Sequence, residues 1–111
     1  MIETIILDFL SAALQVPVRM EIPAGPPARY VVLKRSGRGR ENRLEAANLI
    51  ADSYAESLLE AYRLNEQVKA VLDELDSLDA ISSAELATDY PITDTANKKY
   101  RYQAVYEIYH Y

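Results

Sequence analysis

Apolar side chains fall at Ile2, Ile5, Ile6, Phe9, Leu10 and Ala13, with Glu3, Asp8 and Ser11 between them. Steps of three and four residues gather this set on one side of an α-helix. Pro17 ends that helix, because proline disfavours helical geometry in the residue before it and carries no N–H. Val18 to Ile22 alternates weakly and predicts a short strand, and Pro23, Gly25, Pro26 and Pro27 make a turn of chain breakers. Tyr30 to Leu33 reads as a strand. Ser36 to Arg40 reads as a flexible loop because of its two glycines.

Leu44, Ala47, Ala51 and Tyr54 also sit at helical spacing, so one helix from Glu41 to Leu75 is the simple reading. Such a helix would be a rod of roughly 52 Å, too long for a compact domain expected to measure about 30 to 35 Å across. A start signal also lies inside the run. Ser57-Leu58-Leu59-Glu60 has the form of a capping box, in which the serine accepts from the backbone and the glutamate reaches back. The second helix is therefore predicted from about Ser57 to Leu75. Its buried stripe is Leu58, Ala61, Leu64, Val68, Val71, Leu72 and Leu75. Leu44 to Ala51 becomes an alanine-rich strand. Asp76 to Ala80 predicts a turn, Ile81 to Ala87 a strand, and Asp89 to Thr95 a loop from its proline and its Asp and Thr content. Tyr102, Ala104, Tyr106 and Ile108 alternate with Arg101, Gln103 and Glu107, which predicts a strand over Tyr100 to Tyr111.

With 111 residues, half of them apolar and 26% charged, the chain makes one globular domain spanning residues 1–111. The absence of cysteine excludes disulfides, thiolate metal ligands and a cysteine nucleophile. His110 alone cannot supply a nucleophile triad, and no Gly-x-Ser-x-Gly elbow accompanies it. Three glycines build neither a phosphate loop nor a dinucleotide fingerprint. Glu56 and Glu60 share a helix start, where the macrodipole accounts for them. No apolar run approaches the roughly 18 residues of a membrane span, and no signal-peptide pattern opens the chain, so a soluble protein made in a cytoplasm is expected.

Charge is unevenly spread. Lys34, Arg35, Arg38, Arg40 and Arg43 crowd one segment with only Glu41 opposing them, while the whole chain carries −5. Asp52 to Asp94 holds eleven acids against Arg63 and Lys69, a surface that repels nucleic acid. The cluster of Asp73, Glu74, Asp76 and Asp79 lacks the glycine and alternating ligands of a calcium loop and reads as a solvated helix end. The basic segment reads in three ways: a charged hairpin tip that keeps the chain soluble, a phosphate contact, or an arm that docks on the acids of a neighbouring copy. Five of nine tyrosines fall in the last twelve residues. They suit sheet packing or an interface with one apolar and one wet side.

Tyr62-Arg63-Leu64-Asn65-Glu66-Gln67-Val68-Lys69-Ala70-Val71-Leu72, then Tyr90-Pro91-Ile92-Thr93-Asp94, then Tyr100-Arg101-Tyr102-Gln103-Ala104-Val105-Tyr106-Glu107-Ile108 resemble the tail-terminator (tail-completion) proteins of long-tailed bacteriophages. Val31 to Gly37 resembles that family's strand entering a basic, glycine-containing loop. The resemblance covers essentially the whole chain. It implies an α+β fold: a mostly antiparallel sheet with two main helices packed on one face, and a strand over Arg43 to Tyr54. It further implies a homo-oligomeric ring, usually of six subunits, that ends the tail tube and joins it to the neck connector. The expected partners are the tube protein, the connector and passing DNA touched without sequence reading. No enzymatic activity, cofactor, metal or membrane is implied, and the location would be the virion after assembly in the host cytoplasm. Lys34, Arg35, Arg38, Arg40 and Arg43 are then candidates for an interface or channel loop, and Asp73, Glu74 and Asp76 for interface acids. Arg38 and Arg40 have no place in the family pattern. A small nucleic-acid-binding module using segment 34–43 is the alternative.

Overall fold

The computed structural model describes residues 2–41, 44–94 and 99–111. In chain order the elements are helix α1 (Ile2–Ala13), strands β1 (Val18–Arg19), β2 (Tyr30–Glu41) and β3 (Leu44–Ala55), helix α2 (Leu58–Leu72), a 3-10 turn (Leu75–Ser77), and strands β4 (Ile81–Asp94) and β5 (Lys99–His110). They form one five-stranded sheet in the order β1-β2-β3-β5-β4. Only the β1–β2 pair is parallel. The fold is α+β, as the sequence predicts.

Alternation along the strands sorts side chains between a helix-covered and a helix-free face. Val31, Leu33, Leu49, Ala51, Ala104, Tyr106 and Ile108 meet Ile2, Ile6 and Leu10 of α1 and Leu64, Val68 and Leu72 of α2 in one core. Tyr30, Val32 and Tyr54 make a second, smaller cluster. On the helix-free side, register places Tyr54 beside Arg101, Asp52 beside Gln103 and Ile50 beside Val105.

Several local readings are corrected by strand length. Ser36 to Arg40 is not a loop: β2 runs to Glu41 and pairs with β3, and a register shift between Ser36 and Arg38 marks a bulge at Gly37. Asp89 to Asp94 is likewise strand, while Thr95 lies outside the described residues. Pro91 fits there because β4 is an edge strand, where a missing N–H need not break the ladder. Conversely, the strand predicted over Val18 to Ile22 shrinks to two residues. The expected diameter is also corrected, since the molecule measures 45 × 23 × 23 Å. Twelve-residue strands reach about 40 Å on their own.

The start of α2 therefore rests on its cap and not on the size argument. Ser57 is extended (φ −149°, ψ 162°), and its Oγ accepts from the Glu60 N–H at 3.1 Å. Only this half of the box forms, because the Glu60 carboxylate accepts from Arg63 at 2.9 Å instead. Helix α2 stops at Leu72, and Leu75 is buried from the turn beyond it. Leu58 and Ile5, expected in the buried stripes, are exposed, and Glu3, expected in water, is buried.

Candidate functional site

The basic segment is divided by its strand geometry. Lys34 and Arg35 are neighbours in β2 and so reach opposite faces. On the helix-free side Lys34 Nζ stands 3.0 Å from Asp52 Oδ2, and Arg101 Nη1 stands 3.6 Å from the same oxygen. The Asp52 side chain is fully buried. Neither of its oxygens receives a well-aligned hydrogen bond, so the two cations compensate its burial mainly by charge. On the other side Arg35 Nη1 pairs with Oε1 of the buried Glu3 in α1. Register pairs Arg38 with Ala47 and Arg40 with Glu45. Their side chains, and the whole of Arg43, lie outside the described residues.

The three acids share one turn. Asp73 caps the C-terminus of α2, and its Oδ1 accepts from the Tyr106 hydroxyl at 2.8 Å. Burial raises the Tyr106 phenol well above its ordinary range, and the adjacent Asp73 carboxylate raises it further. Glu74 and Asp76 are exposed at the 3-10 turn. This turn leads into Ile81, which is joined across the sheet through His110 and Glu45 to Arg40. The acids and the last pair of β2 and β3, Glu41 opposite Leu44, thus occupy the same end of the sheet. Midway along α2, Asn65 Nδ2 donates to Asp89 Oδ2 at 2.9 Å, and Lys69 Nζ reaches that oxygen at 2.8 Å and Glu66 Oε1 at 2.9 Å. The Lys69 bond is the main cause lowering the Asp89 carboxyl, and Asp89 in turn is the main cause raising Lys69.

At the opposite end a cleft of about 480 Å³ opens between the segment after β1 and the strand ends. Ile22, Pro26, Pro27 and Ala28 form one wall. Tyr30, Tyr54, Ile92, Lys99, Tyr100 and Arg101 line the other. The Tyr30 and Tyr54 rings stack at 4.6 Å and 6°. The Arg101 guanidinium carbon lies 5.7 Å from the Tyr54 ring centre, and Nη1 donates to the Tyr54 hydroxyl at 2.9 Å. Burial raises the Tyr30 phenol, the neighbouring Tyr54 raises it further, and Arg101 opposes both. Glu56 also lines the cleft, and its Oε1 is held by Arg29 Nη2 at 3.1 Å.

Of the cleft residues, only Tyr100, one of the C-terminal tyrosines, is expected at an interface from the sequence. The available signal was the Pro26-Pro27 pair close before Tyr30, together with alternation of Asp52 and Tyr54 once that stretch is read as a strand. Compared with known proteins, the chain matches no protein-family model and no curated protein. Among the described residues, no helix is long and apolar enough to cross a membrane.

Proposed function

We propose that this protein is a structural virion component of the tail-terminator kind. Its copies assemble into a ring, six-membered by the resemblance, that ends the tail tube of a long-tailed bacteriophage and joins it to the neck connector. The observation that carries this reading is the pairing of the two most specific parts of the resemblance. Tyr90 stands opposite Gln103, Pro91 opposite Tyr102 and Ile92 opposite Arg101, so segments separated in the sequence form one hairpin. A further support is that β4 forms one sheet edge and β2 is paired on its outer side only at Val31 and Val32, by β1. Unpaired strand edges suit association between copies.

In this reading the work is done by surfaces: copy to copy, ring to tube protein and ring to connector, with DNA passing without sequence-specific contact and no catalytic step assigned. The nucleic-acid module built on segment 34–43 draws less support, because Lys34 and Arg35 already pair with buried carboxylates. Negative-stain microscopy of the purified protein, alone and mixed with tail tubes, tests the proposal. Rings, or density capping tube ends, are expected. A protein that forms neither at any concentration or salt overturns it.

A further inference from the structure

The cleft at the Tyr30 end combines an apolar wall with two cations, Lys99 and Arg101, of which Arg101 also faces the buried Asp52. Ile22 on its rim is 59% exposed, and Pro26 and Pro27 beside it are exposed as well. Among the described residues Lys99 has no ion-pair partner, and Arg101 uses Nη1 both for Tyr54 and for Asp52, leaving Nη2 and Nε open. Among the described residues of the lining the one carboxylate, Glu56, is held by Arg29. A cationic, apolar cleft on a chain of net charge −5 is a local reversal of sign. Charge complementarity therefore selects an anionic occupant, and the apolar walls select one with a carbon-rich side chain.

We propose that this cleft docks an acidic peptide segment of a partner protein. An aromatic or aliphatic side chain of that segment sits against the exposed wall of Ile22, Pro26 and Pro27, and a neighbouring carboxylate accepts hydrogen bonds from Lys99 and Arg101. A nucleic acid fits less well. Tyr30 and Tyr54 are each 8% exposed and stacked on one another, so they offer little ring face to a base. The proposal stands independently of the ring, since it concerns a surface that a single copy carries complete.

Titration calorimetry on the full chain tests it, with the acetylated and amidated peptide Glu-Asp-Phe-Asp-Glu as probe. Saturable binding is expected, about tenfold weaker for the Gln-Asn-Phe-Asn-Gln version, as loss of charge-assisted hydrogen bonds implies. Lys99→Glu and Ile22→Asp, both at exposed positions, should each weaken binding while leaving the thermal unfolding midpoint unchanged. Absence of saturable binding, equal affinity for the neutral peptide, or indifference to both substitutions overturns the proposal. Tighter binding of octathymidylate at the same residues replaces the peptide by nucleic acid. If the peptide instead dissolves self-associated protein as it saturates, the occupant is a second copy and the partner protein is excluded. Ring formation is read separately by microscopy, so either result leaves the ring proposal to its own test.

Discussion

Lys34 Nζ lies 3.0 Å from Oδ2 of Asp52, whose side chain is wholly buried on a sheet face that no helix covers. The two residues are diagonal neighbours across the β2–β3 pair, since Val32 stands opposite Asp52 and Lys34 opposite Ile50. A count of charges along the sequence makes Lys34 part of a free basic arm. In the fold it neutralises an internal carboxylate, and Arg35 does the same for Glu3 on the opposite face.

Removing Lys34 leaves Asp52 with only the longer Arg101 contact. Lys34→Ala should cost about 1 to 3 kcal/mol in chemical denaturation, the penalty for leaving a buried polar group short of its compensating partner. A double-mutant cycle with Asp52→Ala should give a coupling above about 0.5 kcal/mol. Strict additivity would show that the 3.0 Å contact contributes nothing to stability.

The Tyr106 phenol has its pKa raised by burial and by Asp73, and Lys69 is raised by Asp89 and Glu66. Stability from a raised pKa is fully present below the unfolded value, here about 10 for both groups, and is lost as pH climbs through the folded one. Unfolding midpoints should therefore fall above about pH 10. Tyr106→Phe should lose about 1 kcal/mol at neutral pH, where Asp73 forfeits a donor, and should show a shallower alkaline decline. Lys69 and Tyr30, both raised as well, contribute to the slope that remains.

On the acid side the sign reverses. Asp89 is held below its ordinary value by Lys69 and then by Asn65, so its contribution is present above about pH 4 and disappears as pH falls through the lower folded pKa. Asp89→Asn should flatten the acid limb of a urea midpoint against pH curve. An unchanged limb would move the effect to other carboxylates.

Leu72 is 0% exposed at the end of α2 and belongs to the main core. Leu72→Ala should destabilise by about 2 to 5 kcal/mol, since the cavity adds to the lost transfer energy. Leu58→Ala, at a 42% exposed position of the same predicted stripe, should cost far less. Equal losses would mean that the two ends of the stripe pack alike.

Both helices, the β5 alternation and the Ser57 cap were legible because each depends on residues close in sequence. The full lengths of β2 and β4 were not. Glycines at 37 and 39 and the proline at 91 signal turns locally, but ladder pairing with β3 and β5 absorbs the first as a bulge and the last at an edge. Burial of Glu3 and Asp52 was hidden for a related reason: a carboxylate enters a protein only where a distant cation meets it, and sequence spacing carries no trace of Arg35 reaching α1 or Arg101 reaching β3. The cleft was invisible because its walls come from the segment after β1 and from the ends of β2, β3, β4 and β5.

The placement of β5 between β3 and β4 also shapes how the chain folds. Each hairpin joins neighbours in sequence and can close in about 1 to 10 μs. The seam between them pairs Ala51 with Ala104 and Leu49 with Tyr106, residues more than about fifty positions apart, so closing it pays the entropy of a long loop before any contact repays it. The meeting of the two hairpins beneath α2 is therefore expected to be the slow event in folding, which a chevron series of seam and hairpin variants would check. In that order, substitutions within either hairpin are expected to change the folding rate with little effect on unfolding, because those contacts already exist at the barrier, whereas seam contacts completed after it are expected to set the unfolding rate.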